Sequence, residues 1–390
     1  MNKIRTIFIF ITSMLILVGC IKPFDPQIEE MEESYLVVDG SIDISTGKGN
    51  IKLTRTQSLD VVNRITYEVG ASVWLETEDG KTIPFIETEE GVYTSNLPGL
   101  DKEDVTRLNI NTIDNEVYQS DFVPVKISPE IDSISWKADD EGLKFFVNTH
   151  DPTNNTRYYR WEYIETAEYN SRFLSKYIYN ANSGEIERRD QENQNIYLCW
   201  RNDTSTTIFL GNSSKFEEDL IIGKEIRTIE PDSWKHRFKY SILARQFALT
   251  KEEYDYWQNI KQSTENIGSL FDTQPSNIGG NIRSITNPER PVIGFFSLGS
   301  STEKRIIIHS NELPPNWNNK GYFIPNYCTE SDSEGVGVEE FYAELIETAL
   351  IIDVVYSLFT GEIVLVYTAL PECIDCSIDK RGSPIKPDYW

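Results

Sequence analysis

The clearest chemistry in this chain belongs to its five cysteines, whose positions set one apart from the other four. Cys20 closes an uncharged run, residues 6–18, that follows Lys3 and Arg5, and Leu17-Val18-Gly19 lies directly before it. A cationic start, an apolar run too short for a hydrocarbon layer of about 30 Å and a small residue at its end form the layout of a secretory signal over residues 1–19. No basic stop-transfer flank follows, and Leu-Val-Gly-Cys has the form of a bacterial lipobox. The expected chemistry is transfer of diacylglycerol to the Cys20 thiol, cleavage after Gly19, and acylation of the new amino group by a chain such as palmitate. No cofactor beyond that lipid anchor is expected. The mature chain would then hold 371 residues (390 less 19), and loss of Lys3 and Arg5 would take the formal charge from −25 to −27.

Removing Cys20 leaves Cys199, Cys328, Cys373 and Cys376. An even number in an oxidising compartment suggests two disulfides, and four cysteines allow three pairings. Cys373-Ile374-Asp375-Cys376 has the spacing of a local disulfide, a redox pair or half a zinc site. A four-thiolate zinc site would want a second close pair, yet Cys199 and Cys328 stand 129 residues apart. A redox centre would want its first cysteine at a helix start, whereas this motif follows Pro371 in a turn-rich tail. Structural disulfides are the expectation.

Other reactive patterns are missing from the sequence. The three histidines, His150, His236 and His309, sit in no H-E-x-x-H motif and beside no clustered carboxylates, so zinc hydrolysis lacks support. The chain contains no G-x-S-x-G elbow, Walker loop or dinucleotide fingerprint. Glu330-Ser331-Asp332-Ser333-Glu334-Gly335 alternates acids before a glycine as a calcium loop would, but position 341, where an EF-hand needs glutamate, is Phe341. A solvated acidic loop is expected there, with no metal ligand and no catalytic residue. With 37 Lys and Arg against 62 Asp and Glu, the chain lacks the cationic face that nucleic acid requires. Aromatics make up 12% of the residues and serve first to fill β cores. If a groove binds a glycan or peptide, Trp257 and Trp161 are the rings expected to line it.

The elements that must position these residues are mostly strands. Residues 20–33, with Pro23, Pro26 and several acids, form a lipidated acidic tether. From Tyr35 the pattern has period two, with Asp79-Gly80 as a hairpin signal. About seven short strands over residues 34–128 suggest an immunoglobulin-like β-sandwich ending at Ser128-Pro129. Residues 129–390 read as a larger β-rich domain with strands near 131–136, 143–147, 157–164, 196–200, 207–210, 238–248, 292–296 and 305–308. Residues 166–195 read as long loops. One helix stands out near residues 250–267: Thr250 and Glu253 have capping-box spacing, and Tyr254, Trp257 and Ile260 share a face. Gly268 is expected to end it, and residues 271–276 to form a loop. Beyond it come a short helix at 339–352, a strand at 362–368, the disulfide-bearing tail, and the terminal pair Tyr389-Trp390, expected to dock on the body.

Several of these stretches together resemble a Bacteroidota lipoprotein family catalogued as a domain of unknown function, DUF4249. They are Leu36-Val37-Val38-Asp39-Gly40, Leu249-Thr250-Lys251-Glu252-Glu253-Tyr254-Asp255-Tyr256-Trp257, Gly280-Asn281-Ile282, Gly294-Phe295-Phe296 and the ending with Cys373, Cys376 and Trp390. The resemblance implies an accessory lipoprotein beside a TonB-dependent outer-membrane receptor; with the lipobox, the acidic tether and the missing catalytic motifs, the expectation is a non-enzymatic lipoprotein anchored in the outer membrane at the cell surface. The alternative is a stand-alone surface lipoprotein that binds a glycan or peptide. No residue role carries over from the family.

Overall fold

The structure, a computed structural model, describes residues 34–57, 65–97, 100, 102–265, 279–315, 317, 327–334, 349–378 and 382–390. The signal segment, Cys20, the acidic tether, the expected helix end at Gly268 and the loop at 271–276 lie outside them.

The first nine strands are β1 (Leu36–Asp43), β2 (Lys48–Arg55), β3 (Thr66–Tyr67), β4 (Ser72–Thr77), β5 (Thr82–Glu89), β6 (Val92–Asn96), β7 (Val105–Asn111), β8 (Val117–Ser120) and β9 (Val123–Lys126). Alternation buries one face of each, so Leu36, Val38, Ile51, Leu53, Leu75, Leu108 and Ile110 share one core. The expected Asp79-Gly80 turn joins β4 to β5, with Gly80 at a φ of 85°. The strands do not divide into the two facing sheets of an immunoglobulin-like sandwich. They run in the order β7-β4-β5-β6-β2-β1, then continue through β20 (Ile293–Gly299) to β9, which pairs back onto β7. Eight strands thus close into a barrel-like sheet, with β8 and β19 (Ile282–Ser284) appended to β7.

The strand that completes the ring comes from far along the chain. β20 lies parallel to both β1 and β9, so the chain crosses at Ser128-Pro129 into a second body and later returns to the first. A local period-two pattern cannot report such a return, because pairing with a distant parallel strand leaves no nearby turn signal. Close backbone approach explains the glycines at the crossing. A Cβ on Gly294, whose φ is 132°, would lie 2.0 Å from the Val38 carbonyl oxygen, and one on Gly280 would lie 1.5 Å from that of Gly294. Asn281 fixes the same crossing by donating to and accepting from the Phe296 backbone, both at 2.8 Å.

The second body is a two-sheet antiparallel sandwich. One sheet joins β10 (Ile131–Asp139), β11 (Gly142–His150) and β17 (Leu220–Ile229). The other joins β15 (Leu198–Thr204), β12 (Tyr158–Asn170), β18 (Lys239–Leu249) and β21 (Ser301–His309), with β16 (Phe209–Asn212) also on β12. Phe145 from the first sheet meets Tyr240 from the second at 5.4 Å between ring centroids, in a core shared with Tyr159, Trp161 and Ile242. β17 escapes the period-two reading because Gly223 at a φ of 66° and two register shifts against β11 interrupt its alternation. Residues 166–195 are less irregular than expected: β12 continues to Asn170, and β13 (Tyr177–Asn180) and β14 (Glu185–Arg188) form a hairpin.

The tail adds a three-stranded sheet of β22 (Ser331–Glu334), β24 (Ile363–Ala369) and β23 (Leu350–Tyr356). Residues 331–334, expected as an acidic loop, pair in register with β24; Gly335 and Phe341 lie outside the described residues. The helix expected at 339–352 gives way to β23 from Leu350, and residues 339–348 lie outside the described set.

Candidate functional site: a charged cleft between the two bodies

Strand alternation builds a cleft where the bodies meet. β1 turns Val38 and Ile42 into the barrel core and leaves Asp39, Ser41 and Asp43 outside; β20 does the same with Phe296 and Leu298 against Ser297. On the sandwich side, β12 buries Tyr159, Trp161 and Tyr163 and presents Arg160 and Glu162, while β18 buries Ile242 and Ala244 and presents Arg245 and Phe247. The helix α1 (Lys251–Glu265) lies across the junction. It rests Tyr254 on Tyr158 of β12, at 5.1 Å between centroids, and Tyr256 on Phe295 of β20, at 5.2 Å. Thr250 Oγ1 accepts from the Glu253 amide at 3.1 Å, which is one half of the expected capping box. The other half is diverted, because the Glu253 carboxylate turns into the cleft.

At the centre of this space, about 350 Å³ in volume, Arg160 is only 9% exposed. Its guanidinium lies over two aromatic rings, 4.4 Å from the centroid of Phe247 and 4.5 Å from that of Trp257. This is cation–π bracketing in a partly desolvated setting. Its Nη1 pairs with Glu162, and its buried Nε has no hydrogen-bond partner among the described residues. Glu253 is 4% exposed, and its Oε1 accepts from Ser297 Oγ at 2.9 Å and Trp257 Nε1 at 3.4 Å. Burial pushes the Glu253 carboxyl up, against the opposing pull of the Ser297 hydrogen bond, the Arg160 charge and the Trp257 indole. At the rim, burial also pushes Asp43 up, but hydrogen bonds from Ser301 and Ser45 more than reverse it and leave its pKa lowered. Arg245 pairs with Glu303 at 2.6 Å.

The cleft therefore offers guanidinium donors beside carboxylates, with one buried donor unmet. An unmet buried donor is costly unless something accepts from it. Such an arrangement has the donors and acceptors to hold a polar ligand by hydrogen bonds and charge.

Of the two expected groove tryptophans, the structure brings Trp257 into this cleft and removes Trp161 from any groove. Trp161 is 0% exposed, donates from Nε1 to Gln246 at 2.8 Å, and stacks on Tyr159 inside the sandwich. On β12 the residues alternate between core and cleft, so the neighbour Arg160 takes the place expected for Trp161. Arg160 carries no sequence signal beyond that alternation. The four cysteines form Cys199–Cys376 and Cys328–Cys373, with Cα–Cα distances of 5.9 and 5.5 Å. The two halves of the C-x-x-C, held on the short helix α2 (Pro371–Ile374) and just after it, thus bridge to different partners. The terminal pair docks as expected: the Tyr389 hydroxyl meets Thr166 Oγ1 at 2.7 Å under Arg305, and Trp390 Nε1 donates to Glu168.

One histidine does meet a carboxylate. The β10–β11 pairing brings His150 Nδ1 within 2.8 Å of Asp132, above a second concavity at the edge between the bodies. The Asp132 hydrogen bond and charge raise the His150 pKa. No third His, Cys, Asp or Glu joins them in a metal-holding group among the described residues. No described helix is long and apolar enough to cross a membrane, which says nothing about strands.

Fold and cleft together define a two-body β protein with a distant strand closing its barrel and a mixed-charge cleft under a single helix. The profile of the family described as a domain of unknown function (DUF4249) matches residues 21–305. The chain belongs to that family. The matched span takes in the barrel, the junction helix and all the cleft residues named above, and ends inside β21. A search of curated proteins returned no match.

Proposed function

We propose that this protein is a non-enzymatic lipoprotein, anchored by acyl chains on Cys20 in the outer membrane and facing the cell surface. In this reading it captures a substrate for a TonB-dependent receptor, and the junction cleft is where capture occurs. The observation that carries the cleft's role is Arg160, nine-tenths buried with an unmet Nε in a cleft of mixed charge. The lipobox, the acidic tether and the family resemblance support the anchor and the partner. Between the two ligand classes considered, a peptide suits the cleft better than a neutral glycan. Its aromatic rings are engaged by the Arg160 guanidinium rather than laid bare for stacking, while a peptide carries the carbonyls and charges that Arg160, Asp39 and Glu253 can meet.

The test has two arms. Tagged protein extracted in mild detergent should recover an outer-membrane receptor; recovery of the lipoprotein alone would count against the partnership. On parallel peptide and glycan arrays, peptide signals are expected. Signals confined to neutral glycans, or none on either array, would overturn the ligand reading. The second function class, a stand-alone surface binder, is favoured if arrays are positive while the receptor never co-purifies.

A further inference from the structure

The turn between β23 and β24, residues 357–362, carries Leu358 and Phe359 at 98% and 99% exposure. Single exposed apolar residues are ordinary, but two adjacent bulky ones standing fully in water are not. Below them Val355, Tyr356 and Val364 are each exposed by more than two-fifths, so the tip continues into an apolar collar. From Val354 to Gly361 the sequence carries no charge, in a chain with 62 acids.

Most amides of this tip are met from within. Ser357 N donates to Glu362 O at 2.8 Å and Gly361 N to Ser357 O at 3.0 Å. Ser357 Oγ accepts from the amides of Phe359 and Thr360, both at 3.2 Å, and Thr360 Oγ1 accepts from that of Glu362 at 3.3 Å. Each amide from Phe359 to Glu362 thus has a partner inside the turn. Amides already paired inside the turn lower the cost of leaving water for hydrocarbon, where no solvent remains to take their bonds. The base is fixed: Ile351, Val354 and Val366 are buried together with Ile186 of β14. At the collar the rings of Tyr356 and Tyr177 lie 6.5 Å apart, and tyrosine favours the level of a bilayer where headgroups begin.

We propose that the Leu358–Phe359 tip inserts into the acyl layer of a lipid bilayer. A tip whose two apolar side chains stand almost wholly exposed suits a deformable medium. The chain's strong negative charge makes the contact hydrophobic, not a headgroup attraction. The chain outside the described residues permits it, since residues 20–33 can span at most about 50 Å when extended and an anchored chain could turn this face to its own membrane. The insertion does not depend on the cleft's ligand.

The chain beginning at residue 21 keeps every described element and lacks both the apolar signal run and Cys20. Floated with phosphatidylcholine vesicles at millimolar lipid, it should partition measurably, and L358S/F359S should lower the bound fraction about tenfold or more. A thermal melt confirms that the double variant is folded. Independently, Phe359→Trp should add an emission component quenched by lipids brominated on their acyl chains. Equal flotation of parent and double variant, or no acyl-chain quenching of the indole introduced by Phe359→Trp, overturns the proposal, including the case in which the tip docks on a protein.

Discussion

The sandwich holds its two neighbours in opposite ways. The barrel is joined to it by the chain itself, which leaves through Ser128-Pro129, returns as β19 and β20, and goes back as β21, with a polar, charged cleft at the seam. The tail is joined by one disulfide, Cys199–Cys376, with Cys328–Cys373 closing the tail on itself, by a backbone bridge between Trp200 and Ser383, and by the docked Tyr389-Trp390 pair. The bridge and the apolar packing of Ile351, Val354 and Val366 on Ile186 hold the base of the tail, while its far tip stands exposed. Strand exchange instead demands close contact along the whole seam, and it is there that a buried arginine and a buried glutamate are held. The contrast separates the two proposals, ligand capture at the barrel seam and surface contact at the tail.

The most damaging change to the seam should be Gly294→Ala. Its Cβ would strike the Val38 carbonyl at a backbone angle that L-residues rarely adopt, so a loss on the order of 4 kcal/mol is expected from combined clash and strain. Denaturant unfolding reads it, and wild-type stability would contradict the strand-insertion account. Next in size is the tail. Replacing Cys199 and Cys376 by Ser opens a link spanning 177 residues and should cost about 2–5 kcal/mol. It should raise hydrogen exchange around Trp390 while leaving the barrel amides protected; equal loosening of both would break the comparison.

Within the seam, Glu253 gives a subtler handle. Folding raises its pKa, so the folded chain holds that proton more tightly than the unfolded chain. The group therefore favours folding in acid and opposes it increasingly as pH rises above the ordinary carboxylate range. Glu253→Gln removes the titration while keeping an oxygen for Ser297 and Trp257. Its melting temperature should exceed that of the parent near neutral pH, and the gain should fade by about pH 4. A gain that grows toward acid would contradict the burial argument. The smallest effect concerns His150, whose NMR titration should lie above the usual histidine value and fall in Asp132→Asn; no change would mean that the pair does not form in solution.

Much of this is legible from residue order. Alternation locates most strands, Thr250 marks the helix start, Asp79-Gly80 marks a hairpin, and the cysteine count anticipates two bridges. What stays hidden depends on distance in sequence. Nothing around Ile293 announces that it pairs with Val37, so the sequence suggests an open sandwich where a closed ring occurs. The two-sheet sandwich lies instead in the second body. For the site, aromatic identity draws attention to Trp161, but one step along a strand exchanges core for surface, and Arg160 is the side chain that reaches the cleft. The Asp132–His150 pair likewise arises only from the β10–β11 register.

The most direct measurement compares the parent with Arg160→Met on one peptide array, with thermal melts of both. Methionine keeps an unbranched side chain between Phe247 and Trp257 but removes every donor. If the seam is the capture site, the parent binds a subset of peptides and Arg160→Met loses those signals by tenfold or more, with the melt unchanged. Identical binding by the two proteins, or no peptide bound by the parent, would contradict the account.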